Sequence, residues 1–216
     1  MGAISTALVK DWQQWHQAYD DPTSALARRL EVVRRRIGDV LLVPRETPVR
    51  VLSLCAGDGR DLLPVLAGTA AVAESVVLVE KDAGLACNAR RTVAALNLAT
   101  VDVITGDAGD HEQFAGAYPV DLLLLCGIFG NVPERDIQTT VAATPAMLRD
   151  GGTVIWTRGS TQPDLRPAIR RWFKGAGLDE VAFHSEPSGF GVGVGVKPTG
   201  PRTSGRVPER LFRFIQ

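Results

Sequence analysis

Five short apolar runs, each parted from the next by a turn or a segment of helical period, constrain this chain more than anything else in it. They fall at 49–54 (Val49, Val51, Leu52, Leu54), 75–80, 100–105, 120–126 (with Leu122, Leu123, Leu124 and Leu125 in succession) and 153–157. Near-continuous apolarity over five or six residues is what a strand covered on both faces requires. Helical patterns follow at 84–96, at 133–143 with Thr144-Pro145 starting one more turn, and at 163–176. In the last of these, Leu165, Ile169, Trp172 and Phe173 form the buried side. Strands and helices in alternation predict an α/β fold: a doubly wound, mostly parallel sheet with right-handed crossovers. A chain of 216 residues with 45% hydrophobic content can build one such domain around a real core.

Both ends depart from the alternation. Residues 180–185 and 190–197 read as strands joined only by a loop, which makes them an antiparallel pair. The last strand places Gly189, Gly191, Gly193 and Gly195 on one face and Phe190, Val192, Val194 and Val196 on the other. The bare face predicts a close neighbour, a helix; glycine-rich flexibility is the alternative reading. A loop at 198–208 leads to Leu211, Phe212, Phe214 and Ile215, which pin the C-terminus to the body. At the other end, Leu8, Trp12, Trp15 and Tyr19 share a helical face. They pack on the sheet or form a lid. A second helix, with Asp21 as N-cap and Pro22 in its first turn, carries the stripe Leu26, Leu30, Val33, Ile37, Leu41. Its arginines (Arg28, Arg29, Arg34, Arg35, Arg36) read as a solvated face. The expected organisation is one domain: a helical cap at 1–43, a ligand-binding core at 49–197 and a packed tail at 198–216.

The first strand runs straight into Cys55-Ala56-Gly57-Asp58-Gly59, and Leu62, Leu63, Val65 and Leu66 then open a helix. A strand, a glycine turn and a helix N-terminus let a ligand lie against bare backbone and free N–H groups. The dinucleotide fingerprint wants a third glycine where this chain has Leu62. The stretch instead resembles motif I of the class I S-adenosylmethionine-dependent methyltransferases, commonly hydrophobic-Leu-Asp-Leu-Gly-x-Gly-x-Gly. Gly57 and Gly59 match, while Ser53 stands at the usual acid and Cys55 at the first glycine. The resemblance covers about 49–197. It implies a Rossmann-like seven-stranded sheet of order 3-2-1-4-5-7-6 with one antiparallel strand.

The same resemblance implies S-adenosylmethionine as the methyl donor and a site along the carboxyl ends of the strands. Cys55, Ala56, Gly57 and Gly59 would line it. Glu80, about twenty residues beyond the turn, would accept from the ribose hydroxyls, with Lys81 beside it. Asp107 would accept from the adenine amino group and the Ala108 N–H would reach a ring nitrogen. Cys126 and Gly127 would leave room for the sulfonium. The Asn/Asp-Pro-Pro-Tyr/Phe pattern of enzymes that methylate base amines is absent after the fourth strand, where the chain reads Cys126-Gly127-Ile128-Phe129. Candidate substrate contacts are Tyr19, Phe129, Asn131 and Arg158. For Phe129 the alternative is core, for Asn131 a helix cap, and for Arg158 a surface position. His16 and His184 are the titratable candidates for a base, and neither is assigned a catalytic role.

Charge and cysteine content narrow the setting. A net charge of +0 argues against a broad nucleic-acid footprint. Three cysteines in no zinc spacing predict reduced thiols and no metal centre. No run reaches membrane-spanning length, and no signal-peptide pattern opens the chain. Together with the resemblance, which implies the methyltransferase, these features predict a cytoplasmic enzyme acting on a small molecule. A nicotinamide-dependent oxidoreductase and a non-catalytic S-adenosylmethionine-binding protein are the rival readings.

Overall fold

The structure is a computed structural model that describes residues 17–69, 72–187, 189–200 and 205–215. Leu8, Trp12, Trp15 and His16 lie outside the described residues. Seven strands form one sheet: β1 Val49–Leu54, β2 Ala73–Glu80, β3 Val101–Thr105, β4 Val120–Leu125, β5 Leu148–Gly159, β6 Asp179–Ser185 and β7 Phe190–Val196. Their order is β3-β2-β1-β4-β5-β7-β6. β7 alone runs antiparallel to its neighbours, pairing with both β5 and β6. Helices α1 Ala25–Leu41, α2 Leu63–Ala67, α3 Ala83–Ala95, α4 Glu134–Met147 and α5 Arg166–Gly175 cover the two faces.

Each face has its own apolar layer. On one side Val33, Ile37 and Leu41 of α1 pack with Leu62, Leu63, Leu78, Leu122, Val192 and Val194. On the other, Ile137 and Val141 of α4 and Ile169 and Phe173 of α5 meet Leu123, Leu125 and Trp156. The central strands β1 and β4 are thus buried on both sides, as their near-continuous apolar runs require.

Three local expectations need correction. α1 is capped by Ser24, whose hydroxyl accepts from the Ala27 N–H at 3.0 Å. Asp21 instead closes a tight turn by accepting from the N–H and hydroxyl of Thr23. Glu134–Met147 is one helix with Pro145 inside its last turn, not a helix followed by a separate turn. The glycine face of β7 is covered chiefly by side chains of its neighbouring strands. Gly193 lies opposite Trp156 in the ladder, and the indole occupies the place a β-carbon would take. Phe183 and Arg166 fill the same role at Gly191. The sheet folds its own aromatics over the bare strand, with α5 stacked outside them.

Candidate active site

The parallel strands β1 to β5 deliver their carboxyl ends to one rim, and β1 lies between β2 and β4, where the winding reverses. After β1 the backbone enters the left-handed region at Cys55, Gly57 and Gly59, with φ of 56°, 59° and 74°. The conformation suits glycine, and Cys55 adopts it in place of one. Gly59 was expected to clear space for a ligand. A β-carbon there would instead strike Leu63 at 2.6 Å and Leu78 at 3.0 Å, so its bareness serves helix–strand packing.

Glu80, at the end of β2, is 9% exposed and reaches across to that turn. Its Oε2 accepts from the Gly57 N–H and its Oε1 from the Asp82 N–H, both at 2.8 Å. Burial raises its pKa, and the two N–H groups pull the other way. A carboxylate has about four lone-pair sites, so two engaged oxygens keep capacity for further donors. Asp107, beyond β3, accepts from the Gly109 N–H at 2.9 Å and from Arg210 Nη1 at 2.9 Å, with Lys81 Nζ at 3.7 Å. Burial would push its carboxyl up, but Gly109, Arg210 and Lys81 together hold it below the usual range. Lys81 is otherwise exposed, and Ala108 is buried.

Beyond β4, the Gly127 N–H donates to Thr157 Oγ1 at 2.9 Å, tying the turn to β5. Gly127 has φ of 80°, and a β-carbon added there would meet no atom within 4 Å. The Cys126 thiol is half-buried, and burial raises its pKa. The rim is therefore open at Gly127, with room for a ligand group.

Of the four substrate candidates, Tyr19 and Asn131 come to this place, Asn131 through the Gly127 carbonyl. Tyr19 lies in a 3₁₀ turn, Gln17–Tyr19, and its hydroxyl accepts from Arg29 Nη2 at 2.7 Å. The Arg60 guanidinium covers its ring at 4.7 Å. Burial, opposed by Arg29, raises the phenol pKa, and the hydroxyl lies within electrostatic reach of Asp61 and Cys126.

The other three side chains make contacts within the fold. Phe129 is fully buried between Trp156 and Phe173, with ring centroids 6.2 and 6.3 Å away, so it is core and not an apolar wall. Asn131 is not the helix cap, since Pro133 holds that position. Its Nδ2 donates to the Gly127 carbonyl at 2.7 Å and its own carbonyl accepts from the Ile215 N–H. Arg158 is 7% exposed and donates to the carbonyls of Phe129 and Pro163, bracing two loops against each other. His184 lies on β6 and stacks with Phe190 at 5.7 Å.

Sequence reasoning passed over two residues. Arg29 is not on the solvated face; it is 9% exposed. The signal was available, since Arg29 stands four residues before Val33 and eight before Ile37, on the buried stripe. Asp61 had no such signal. Two acids flank the last glycine of the turn. Asp58 pairs outward with Arg60 at 2.6 Å, whereas Asp61 Oδ1 is sealed from solvent with no hydrogen-bond partner. Burial raises its carboxyl pKa to about 6. Among the described residues, no group of His, Cys, Asp and Glu could hold a metal ion, and no helix is long and apolar enough to cross a membrane.

Residues 29–172 match the sequence model of a family described as "Putative methyltransferase". No curated protein matches the chain. Many solved structures share the fold. A magnesium protoporphyrin IX methyltransferase from Synechocystis PCC 6803, solved with bound S-adenosylmethionine, superposes with a TM-score of 0.66 at 11% identity, covering 89% of this chain and 100% of that one. An O-methyltransferase family protein from Burkholderia thailandensis gives 0.62 at 16% identity, over 87% of this chain and 64% of that one. A "possible exported protein" from Bordetella parapertussis gives 0.61 at 19% identity, over 80% and 68%. At such identities these likenesses speak for the fold, while the family match spans most of the chain. The chain belongs to that methyltransferase family, within the class I S-adenosylmethionine-dependent superfamily whose sheet order it shares.

Proposed function

We propose that the protein transfers a methyl group from S-adenosylmethionine to a small-molecule acceptor, and that Cys55, Ala56, Gly57, Gly59, Glu80, Lys81, Asp107, Ala108, Cys126 and Gly127 form the donor site. The observation that carries the assignment is the bond from the Gly57 N–H to Glu80 Oε2 at 2.8 Å. It fixes a buried carboxylate against the glycine turn, at the point where the sheet's winding reverses, with acceptor capacity left for ribose hydroxyls. Asp107 follows β3, one strand beyond Glu80, for the base, and the open rim at Gly127 follows β4, on the other side of the glycine turn, for the sulfur.

When bound, S-adenosylmethionine supplies a methyl carbon activated by positive sulfur. The chain then has to hold the acceptor in line and exclude water. Orientation of this kind is worth roughly 7–11 kcal/mol, so a fixed catalytic residue is not required. Beside the site runs a groove of about 780 Å³ bordered by Tyr19, Arg28, Arg34, Asp58, Arg60 and Glu186. Its size suits a small molecule, and Tyr19 joins it to the rim, which supports entry of the acceptor from this side. The net charge of +0 favours such an acceptor over nucleic acid, and three unpaired cysteines suit a reducing, cytoplasmic setting.

Calorimetric titration with S-adenosylmethionine and with NAD tests the donor, and labelled methyl transfer to a panel of small acceptors tests turnover. Binding of NAD without S-adenosylmethionine would overturn the proposal. Tight donor binding with no transfer to any acceptor would favour a non-catalytic binding protein.

A further inference from the structure

The groove beside the rim carries a cation that the fold leaves unused. α1 begins at the rim, where Ser24 donates to the Ala18 carbonyl, and ends beside Val49 at the foot of β1. The groove follows its outer side, with the turn between β6 and β7 as a further wall. Each acid that borders it faces an arginine: Glu186 holds Arg28 through two bonds of 3.0 Å, Glu31 lies 3.4 Å from Arg34, and Asp58 and Asp20 both face Arg60. The fourth arginine of the groove, Arg35, is exposed and makes no hydrogen bond or ion pair among the described residues. The acids one turn to either side of it are taken by its neighbours, Glu31 by Arg34 and Asp39 by Arg36 at 3.1 Å. Arg28, Val32 and Arg35 fall at i, i+4 and i+7, in one line down the helix. At a rise of 1.5 Å per residue, Arg35 lies about 10 Å further from the rim than Arg28. His184 borders the same groove from β6. Its ring stacks with Phe190, and its nitrogens make no hydrogen bond among the described residues.

We propose that the acceptor carries an anionic group, a carboxylate or a phosphate, at the end remote from the methylated atom, and that Arg35 binds this group with His184 as a second donor. A guanidinium with its N–H groups uncommitted recognises such oxygens by charge and by its fork of donors. The distance of Arg35 from the rim makes the acceptor an elongated molecule, whose apolar body lies along the half-buried Val32. The inference rests on the acceptor entering by this groove. It adds the acceptor's chemical class and the residue that selects it.

The test uses probes that share one chain and differ at one end. The full chain, with S-adenosylhomocysteine bound, is titrated calorimetrically with ω-hydroxydodecanoate, ω-hydroxydodecyl phosphate, dodecanediol and ω-aminododecanol. The carboxylate or the phosphate should bind roughly 5- to 20-fold more tightly than the diol, the scale of a charge-assisted hydrogen bond at a partly exposed site. The tighter of the two identifies the anion, and the amine should bind no better than the diol. Arg35→Ala should erase the preference, and Arg35→Lys should keep part of it. His184→Phe retains a ring against Phe190 and should reduce the preference about twofold; an undiminished preference removes His184 from the site. Arg36→Ala is the control, because Arg36 holds Asp39 and does not border the groove. An equal loss in that variant would reduce the effect to general surface charge and overturn the proposal. So would a preference for the diol or the amine, a preference that survives Arg35→Ala, or binding of none of the probes. Failure of S-adenosylhomocysteine itself to bind overturns the donor reading instead, and the anion site is then decided by the same four probes on the unliganded chain.

Discussion

Single residues at the rim act on the stability of the fold with opposite signs. Burial moves the Asp61 carboxyl from 3.8 to about 6. Between those values the folded protein keeps a proton that the unfolded chain has released. Stability therefore falls as pH rises through this window, and the loss is complete above about pH 6. Two pKa units correspond to about 3 kcal/mol, so Asp61→Asn should stabilise the ligand-free protein at pH 8 by up to that amount and flatten the pH dependence. Urea unfolding between pH 4 and 8 reads this directly, and a variant less stable than wild type at pH 8 would refute it. Glu80 behaves in the other way. Because its two oxygens hold the Gly57 and Asp82 N–H groups, Glu80→Ala should weaken S-adenosylmethionine binding by roughly 1.5–3 kcal/mol and also lower ligand-free stability by about 1–3 kcal/mol. An unchanged melting temperature would show that the turn holds without it.

At the scale of elements, a strand and a helix owe their form to single small residues. Gly193 on β7 is bare because the Trp156 indole lies where a β-carbon would project. Gly193→Ala should cost about 1–3 kcal/mol by overpacking, and Trp156→Leu in the same chain should return part of it. A double variant no better than the sum of the two single ones would mean that the contact is not the cause. The spacing of glycines announced a close neighbour, yet its identity depended on β5 and β7 being paired in register, a long-range fact. The start of α1 is a smaller case. Asp21 and Ser24 both suit an N-cap, and the chain uses Ser24. Ser24→Ala should cost about 1 kcal/mol, measurable by chemical denaturation, and no change would return the cap to Asp21.

Across the whole molecule, the C-terminal tail joins fold to site. Leu211 and Phe212 are each 1% exposed in the layer under α4, and the Leu211 N–H donates to the Gly109 carbonyl at 2.8 Å. Arg210 pairs with Asp107, the acid proposed to receive the base. A chain ending at Pro208 should lose more than about 3 kcal/mol of stability from the two apolar side chains alone and bind S-adenosylmethionine more weakly. A truncated protein with full affinity and stability would show the tail to be an ornament of the surface. The sequence alone was enough to determine the strands, their burial, the antiparallel end and the glycine turn, and with the motif resemblance it yielded the strand order and the acids at Glu80 and Asp107. Those features are written in local period and in spacing along one chain. It could not determine that Phe129 lies in the core, that Asn131 and Arg158 turn inward to loop carbonyls, that Arg29 is buried, or that Asp61 Oδ1 is sealed while Asp58 pairs with Arg60. Each depends on which way a side chain points once distant segments meet. Only the tertiary structure brings Tyr19, Arg29, Asp61 and Cys126 to one place, because no two of them belong to the same element.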